Sequence, residues 1–394
     1  MTGVIDTKII NGRIVTPDRV IENGTIEIAD GIITDILENS SKSGDVIDAN
    51  RGYVLPGIVD IHGDDLETAI SPRPSAKFPV DFALLHLDRR NASMGITTKL
   101  HAIAYFEDEL KSRHVGTSKE IVETMARLED EFLTHHFAHV RCEISGDLKD
   151  VFEAIKSPLV KLVSLMDHTP GQGQFTDHTR YREYHKRIYG LNDDEIDRIV
   201  RKKSGYAGEL LQNMREVADF AHARGISIAS HDDDSPEKVE LVHSIGARIS
   251  EFPITLDAAK RGRELGMTIS MGAPNVVLGR STSGNLSSSE AIDAGLVDLL
   301  CSDYNPGSML YSAFILWKRG VLTLPGAVNL ITQNPAEAVG MGDMIGSIEI
   351  GKRADLLVVP ERMELPVVTH TIVGGDICMR QAVRDDSNWR VSGS

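Results

Sequence analysis

The chain has 394 residues, 41% hydrophobic and 25% charged, a globular composition that excludes collagen, a disulfide scaffold and wholesale disorder. Asp and Glu number 58 against 42 Lys and Arg, a formal charge of −16, which disfavours nucleic acid and anionic membrane as partners because both reward a basic face. No apolar run reaches the roughly 18 residues of a spanning helix.

Met1 to Val15 lacks a basic region ahead of a long apolar stretch, so no secretory signal is expected there. Cys142, Cys301 and Cys378 are far apart and odd in number, which fits small buried side chains in a reducing cytoplasm better than bridges.

Short strand-like pieces fill the first fifty residues: Lys8 to Ile10, Arg13 to Val15, Thr25 to Ile28 and Ile32 to Ile36. Asn11-Gly12, Asn23-Gly24 and Asp30-Gly31 separate them. Asn-Gly and Asp-Gly tolerate the positive φ of tight hairpins, so the segment reads as an antiparallel meander. The last sixty residues repeat the pattern at Ser347 to Ile350, Ala354 to Val359 and Val367 to Val373. Neither set buries both faces alone. The economical expectation is one small composite β-sandwich, residues 1–53 with 347–394.

Between them, over 54–346, apolar runs alternate with helical patterns. The runs are Ile58–His62, Ile96–Ala102, Ala138–Glu143, Leu159–Met166, Ser227–Ser230, Arg248–Pro253, Thr268–Met271 and Leu299–Cys301. Thr117-Ser118-Lys119-Glu120 matches a capping box. Asp193 to Arg224 is helical material closed by Gly225. Ser235-Pro236 supplies a cap and a first-turn proline for a helix closed by Gly246. Eight such units suggest an α/β chain with a (β/α)8 TIM-like barrel; an open doubly wound sheet is the alternative.

The chemistry sits at the ends of these runs. His62 and Asp64 follow the first, Glu143 ends the third, Asp167-His168 the fourth, His231 the fifth, and Asp303 the last. Carboxyl ends of parallel barrel strands converge on one mouth, where catalytic groups collect. Imidazoles and carboxylates together suit divalent ions: two of them, zinc ahead of manganese or iron. His62, Asp64, Glu143, His168, His231 and Asp303 are the candidate ligands. Glu143 is suited to bridge two ions, and Asp303 also to take a proton from the attacking water. His135, His136 and His139 read as surface or helix-end residues. His101 is a candidate supporting residue, and Asp232 and Asp233 could orient ligands or cap the next helix.

The run Gly57-Ile58-Val59-Asp60-Ile61-His62, the stretch Thr332 to Ala336 and Gly351 to Leu356 resemble the amidohydrolase superfamily. That resemblance implies a metal-bearing barrel with a sandwich built from both termini, although His62-Gly63-Asp64 stands where His-x-His is usual. Ser164 to Gln172 with Gln174-Phe175, Tyr181 to Tyr184, Ala229 to Asp233, Met271 to Asn275 and Ser302 to Tyr304 sharpen it. Together they are similar to the diphosphatases that act on α-D-ribose 1-methylphosphonate 5-triphosphate in the carbon–phosphorus lyase pathway. The similarity implies in-line attack by hydroxide on the α-phosphorus of a phosphorylated small molecule, with pyrophosphate leaving. An amide or cyclic-imide hydrolase, or a deaminase, on the same scaffold is the alternative.

A triphosphate also needs donors. Candidates are Arg73, Gln172, Gln174, Tyr181, Arg182, Arg280, Ser281, Ser283 and Asn285, with Lys77 and Arg180 as further cations. The chain departs from the diphosphatase pattern at Gly63, Asp65, Leu278 and Thr282. The last two stand where Arg and His are usual, and Arg280 is a candidate substitute. A homo-oligomer is compatible with all of this.

Overall fold

A computed structural model describes residues 7–38, 46–73, 75–106, 114–167, 186, 192–194, 209–281, 284–361 and 365–382. It contains two eight-stranded sheets.

The first sheet draws on both ends of the chain. Strands β1 (Thr7–Val15), β2 (Val20–Ala29), β3 (Ile32–Leu37), β4 (Val46–Asp48) and β5 (Tyr53–Pro56) come from the front. Their partners β14 (Leu356–Val359), β15 (His370–Val373) and β16 (Asp376–Arg380) come from the back. The order is β16-β15-β14-β5-β1-β2-β3, with β4 also pairing β1. The joint between the two ends is antiparallel, Leu356 opposite Pro56 and Val359 opposite Tyr53. Ile9, Ile14, Ile26, Ile33, Val54, Leu356, Val358 and Ile372 form its core.

The meander is corrected in one respect. Asp30-Gly31 turns between β2 and β3, but Asn11-Gly12 and Asn23-Gly24 lie inside β1 and β2. Asn11 and Asn23 each have φ 54, so the positive φ is present. It serves a register shift, and Gly12 pairs with Gly24 across the two strands. An Asn-Gly step supplies a left-handed residue for a bulge as readily as for a hairpin.

The second sheet is parallel. Its strands are β6 (Ile58–Gly63), β7 (Ile96–Ala104), β8 (His135–Glu143), β9 (Val160–Met166), β10 (Ser227–His231), β11 (Ile249–Glu251), β12 (Thr268–Gly272) and β13 (Leu299–Cys301). They pair in sequence order, each with the next. The first and last approach through a parallel bridge between Gly63 and Asp303, so the sheet is a nearly closed barrel rather than an open doubly wound one. Each of the eight runs expected from the sequence contains a strand, although Arg248–Pro253 holds only the three residues Ile249–Glu251.

Inside the barrel, Val59, Ile61, Leu100, Leu162, Ala229, Ile249 and Leu299 pack on Ala336, Val339, Met341 and Ile345. This apolar plug leaves the carboxyl ends of the strands as the polar end. A second core joins the two sheets: Val15, Tyr53, Leu55 and Leu357 pack with Ile58, Ile96, Phe314 and neighbouring helices.

Helix signals had mixed outcomes. Ser235 caps the helix Pro236–Ser244 by accepting the Lys238 N–H, and Gly246 follows at φ 104. Of the helical stretch expected from Asp193 to Arg224, residues 195–208 lie outside the described residues, and helix Leu210–His222 precedes Gly225 at φ 70. The Thr117 to Glu120 box is not used: that helix begins two residues earlier, at Val115, and no side chain caps it. Tertiary packing of Ile121, Val122 and Met125 sets its position instead.

Candidate metal centre

The mouth is assembled first by backbone. Asp303 N–H donates to the His62 carbonyl at 2.9 Å, and Asp64 N–H to the Asp303 carbonyl at 3.0 Å. These two bonds bring together residues from opposite ends of the barrel sequence. Three non-glycine residues just past strand ends have left-handed backbone: Asp232 and Phe252 at φ 52, and Asp303 at φ 53. Such strain persists only where the surroundings over-determine it, and it clusters at functional sites.

Glu251, which ends β11 and is wholly buried, ties two imidazoles together. His62 Nδ1 lies 3.1 Å from its Oε1, and His231 Nδ1 lies 3.4 Å from its Oε2. The His62 and His231 rings stack at 5.6 Å. His139 projects from β8 toward the same carboxylate, its Nε2 3.8 Å from Oε2. His139 Nδ1 is 3.0 Å from the Ile61 carbonyl, which only accepts, so Nδ1 carries the proton and Nε2 keeps its lone pair. The Ser164 hydroxyl, 2.9 Å away, donates to that nitrogen.

Burial lowers the His62, His139 and His231 pKa values to about 3, because the charged imidazolium is poorly solvated there. For His62 the Arg141 charge adds to the effect. Neutral imidazole is the form that binds metal. Asp303 moves oppositely: burial, and then the Asp64 charge, push its carboxyl up to about 7.

Among the described residues, His62, His139 and Glu251 each offer a ligand atom within 4.8 Å of the others. Two neutral imidazoles and a carboxylate fit a divalent transition metal. Asp64, His231 and Asp303 adjoin this trio. Glu143 lies buried on the side of β8 that His139 and Arg141 also take, and its Oε1 accepts the Ser145 hydroxyl at 2.9 Å. It is not part of the trio. His168, Gln172, Gln174, Tyr181, Arg182 and Ser283 lie outside the described residues.

The donors expected for phosphate are dispersed. Arg73 and Arg280 are exposed, and Ser281 and Asn285 are half-buried in the segment after helix Ala273–Leu278. Asp233 does not cap the next helix, which Ser235 does. It accepts the Ser230 hydroxyl at 2.6 Å and the Ser250 hydroxyl at 2.5 Å, fastening β10 to β11 beneath His231 and Glu251.

Two members of the trio are absent from the sequence-based set. The sequence groups His139 with surface or helix-end histidines, yet it and His136 are buried on β8. Strand alternation from Glu143 points to it: 139, 141 and 143 share a side, while Ala138, Val140 and Cys142 join the outer core. Glu251 ends a strand just as His231 does, but the apolar run read from the sequence continues to Pro253 and hides that end. His101 is buried too, its Nε2 2.8 Å from His136 Nδ1, on the branch leading to Asp88 rather than to the metal trio.

The model of the amidohydrolase family matches residues 143–379. The chain belongs to the amidohydrolase family. One relative, the α-D-ribose 1-methylphosphonate 5-triphosphate diphosphatase of Escherichia coli (strain K12), is 37% identical over 360 residues, covering 89% of this chain and 94% of that one. Imidazolonepropionase of Porphyromonas gingivalis is 26% identical, covering 91% of this chain and 88% of that one. Among solved structures, dihydropyrimidinase from Brevibacillus agri aligns with a TM-score of 0.63 at 13% identity, over 95% of both chains. N-acetylglucosamine-6-phosphate deacetylase from Pasteurella multocida aligns with a TM-score of 0.62 at 13% identity, over 94% of this chain and 99% of that one. These two structures share the family's fold. Family membership agrees with the metal-bearing barrel that the sequence motifs implied.

Proposed function

We propose that this chain is a metal-dependent diphosphatase that hydrolyses α-D-ribose 1-methylphosphonate 5-triphosphate to the 5-phosphate and pyrophosphate. The observation that carries this reading is the 37% identity to a diphosphatase over nearly the whole of both chains. The buried imidazole–carboxylate group at the barrel mouth supports it.

His62, His139 and Glu251 would hold one divalent ion. Asp64, Glu143, His168, His231 and Asp303 are proposed for a second, with zinc ahead of manganese or iron. A divalent cation there supplies positive charge to phosphoryl oxygens and acidifies water. Asp303, fixed between His62 and Asp64 by backbone bonds, takes the proton of the attacking water. The water oxygen bonds to the α-phosphorus, the α–β anhydride bond breaks, and pyrophosphate leaves with the bonding pair. Arg73, Arg182, Arg280 and the polar side chains Gln172, Gln174, Tyr181, Ser281, Ser283 and Asn285 are proposed to surround the substrate.

The same reading divides the chain into a barrel over 54–346 and a small composite β-sandwich from 1–53 and 347–394. It places the reaction in the cytoplasm, which suits three unpaired thiols. No helix among the described residues is long and apolar enough to cross a membrane.

The test is an assay of metal-reconstituted protein on the triphosphate. Pyrophosphate is the expected first product, and His231→Asn abolishes it. Orthophosphate appearing first relocates attack to the γ-phosphorus. No turnover, with hydrolysis of a cyclic amide, replaces this function by an amide-hydrolase one.

A further inference from the structure

We propose that Arg141 is the substrate-recognition residue of this mouth, its guanidinium receiving a phosphoryl oxyanion and so selecting phosphoric anhydrides over uncharged amides. This rests on the diphosphatase reading.

Arg141 lies on β8 between His139 and Glu143, on the side facing the mouth. Its side chain is 8% exposed. A buried guanidinium has five N–H donors and cannot shed its charge, so it needs acceptors. Those it meets are weak or distant. Nε lies 3.3 Å from the Met166 thioether, one terminal nitrogen 3.4 Å from His231 Nε2, and the other 3.8 Å from Asp64 Oδ2. Among the described residues Asp64 is its one ion-pair partner, and 3.8 Å is too long for a hydrogen bond.

The contrast with Lys99 is informative. That buried cation has Asp60 at 2.5 Å, Asp65 at 3.2 Å and the Ser302 hydroxyl at 3.0 Å, so its charge is consumed inside the fold. Arg141 instead spans the interval from Asp64 to His231, across the mouth of the barrel. A phosphoryl group offers paired anionic oxygens that match the guanidinium fork, whereas an amide carbonyl offers one neutral acceptor. A chain of charge −16 must gather local cations to hold a triphosphate. Arg73 and Arg280, the described arginines expected to do so, are exposed on loops.

The experiment compares wild type with Arg141→Met and Arg141→Lys as metal-loaded full-length proteins. Binding of inorganic pyrophosphate is measured by calorimetry, KM and kcat on the triphosphate by product release, and bound metal by elemental analysis. Arg141→Met should weaken pyrophosphate binding roughly 10- to 100-fold and raise KM comparably, with metal content unchanged, as expected for losing a charge-assisted contact. Arg141→Lys, which keeps charge but loses the fork, should fall between. It also carries the test if the Met variant does not fold. Pyrophosphate affinity within twofold of wild type in both variants overturns the assignment. So does loss of metal that accounts for the lost affinity, since Arg141 would then only support the cage. Absence of triphosphate turnover in wild type removes the diphosphatase reading itself, while the calorimetric comparison still reports on Arg141.

Discussion

Lys99 Nζ lies 2.5 Å from Asp60 Oδ2, and neither side chain reaches solvent. The pair does more than neutralise charge. Asp60 Oδ1 accepts the backbone N–H of Ser302 at 3.0 Å and of His62 at 3.3 Å, so one carboxylate fastens the first barrel strand to the end of the last. Burial opposes ionisation of Asp60, yet the Lys99 charge outweighs it and holds the carboxyl below its ordinary range.

Removing the cation strands that carboxylate. Lys99→Met should cost about 3–5 kcal/mol, the usual penalty for breaking a buried pair. Lys99→Met combined with Asp60→Asn should recover a substantial part, because the amide oxygen still accepts the two N–H groups without a charge. Urea denaturation of the three proteins measures this. A single variant within 1 kcal/mol of wild type contradicts the account.

The metal trio makes a separate prediction. His139→Asn and Glu251→Gln should each lower affinity for a divalent ion by at least about tenfold, the lower end of what even supporting residues contribute. Metal-to-protein ratios after dialysis against graded chelator read this out. Chelation should also lower the thermal midpoint, since an ion at 100 times its Kd stabilises the fold by about 2.7 kcal/mol. Retention of metal by both variants, with loss in Glu143→Gln, would move the centre toward the set chosen from sequence.

The barrel was legible because a parallel strand buried on both faces must be a continuous apolar run, and its polar end marks the mouth. His62, Asp64, His231 and Asp303 emerge from that rule. His139 does not, because it sits inside a strand rather than at its end, and beside His135 and His136 it resembles a polar surface segment. Arg141 is hidden similarly: a cation between Val140 and Cys142 looks solvated until alternation turns it inward. Glu251 ends a strand of only three residues, too short for its last position to be distinguished. At Asn11-Gly12 and Asn23-Gly24 the backbone demand was readable, but turn and bulge share it. Only the facing of Gly12 by Gly24 separates them.

That facing can be tested directly. A Cβ on Gly24 would run into Ile14 Cδ1, and one on Gly12 would lie 2.5 Å from Val54 Cγ2. Ile14 and Val54 are wholly buried, so neither has room to yield. Gly24→Val should therefore cost about 1–3 kcal/mol by overpacking, although valine favours strands on propensity alone. Chemical denaturation measures it, and a stabilised variant would mean that the two strands re-register freely.

Asp355 supplies the pH prediction. It precedes β14, and its Oδ1 accepts the Gly374 N–H at 2.8 Å, while Oδ2 has no hydrogen-bond partner. Burial raises its pKa to about 6, against an ordinary 3.8; the Gly374 bond and the Arg353 charge only partly oppose this. A raised carboxyl pKa means that the folded state binds the proton more tightly than the unfolded chain. Below the unfolded value both states are protonated and no difference arises. Between the two values the unfolded chain ionises first, so stability falls as pH rises. Above about 6 both are ionised and the full cost of the buried charge remains, on the order of 3 kcal/mol at 1.36 kcal/mol per pKa unit. Asp355→Asn cannot ionise and so lacks this term. The stability difference between variant and wild type should therefore shift in the variant's favour by about 2–3 kcal/mol from pH 4 to pH 8. Paired urea titrations at both pH values cancel the other titrating groups. A difference that does not change with pH would mean that Asp355 is ionised throughout, with Arg353 or His135 closing onto Oδ2 from their present 4.0 and 3.9 Å.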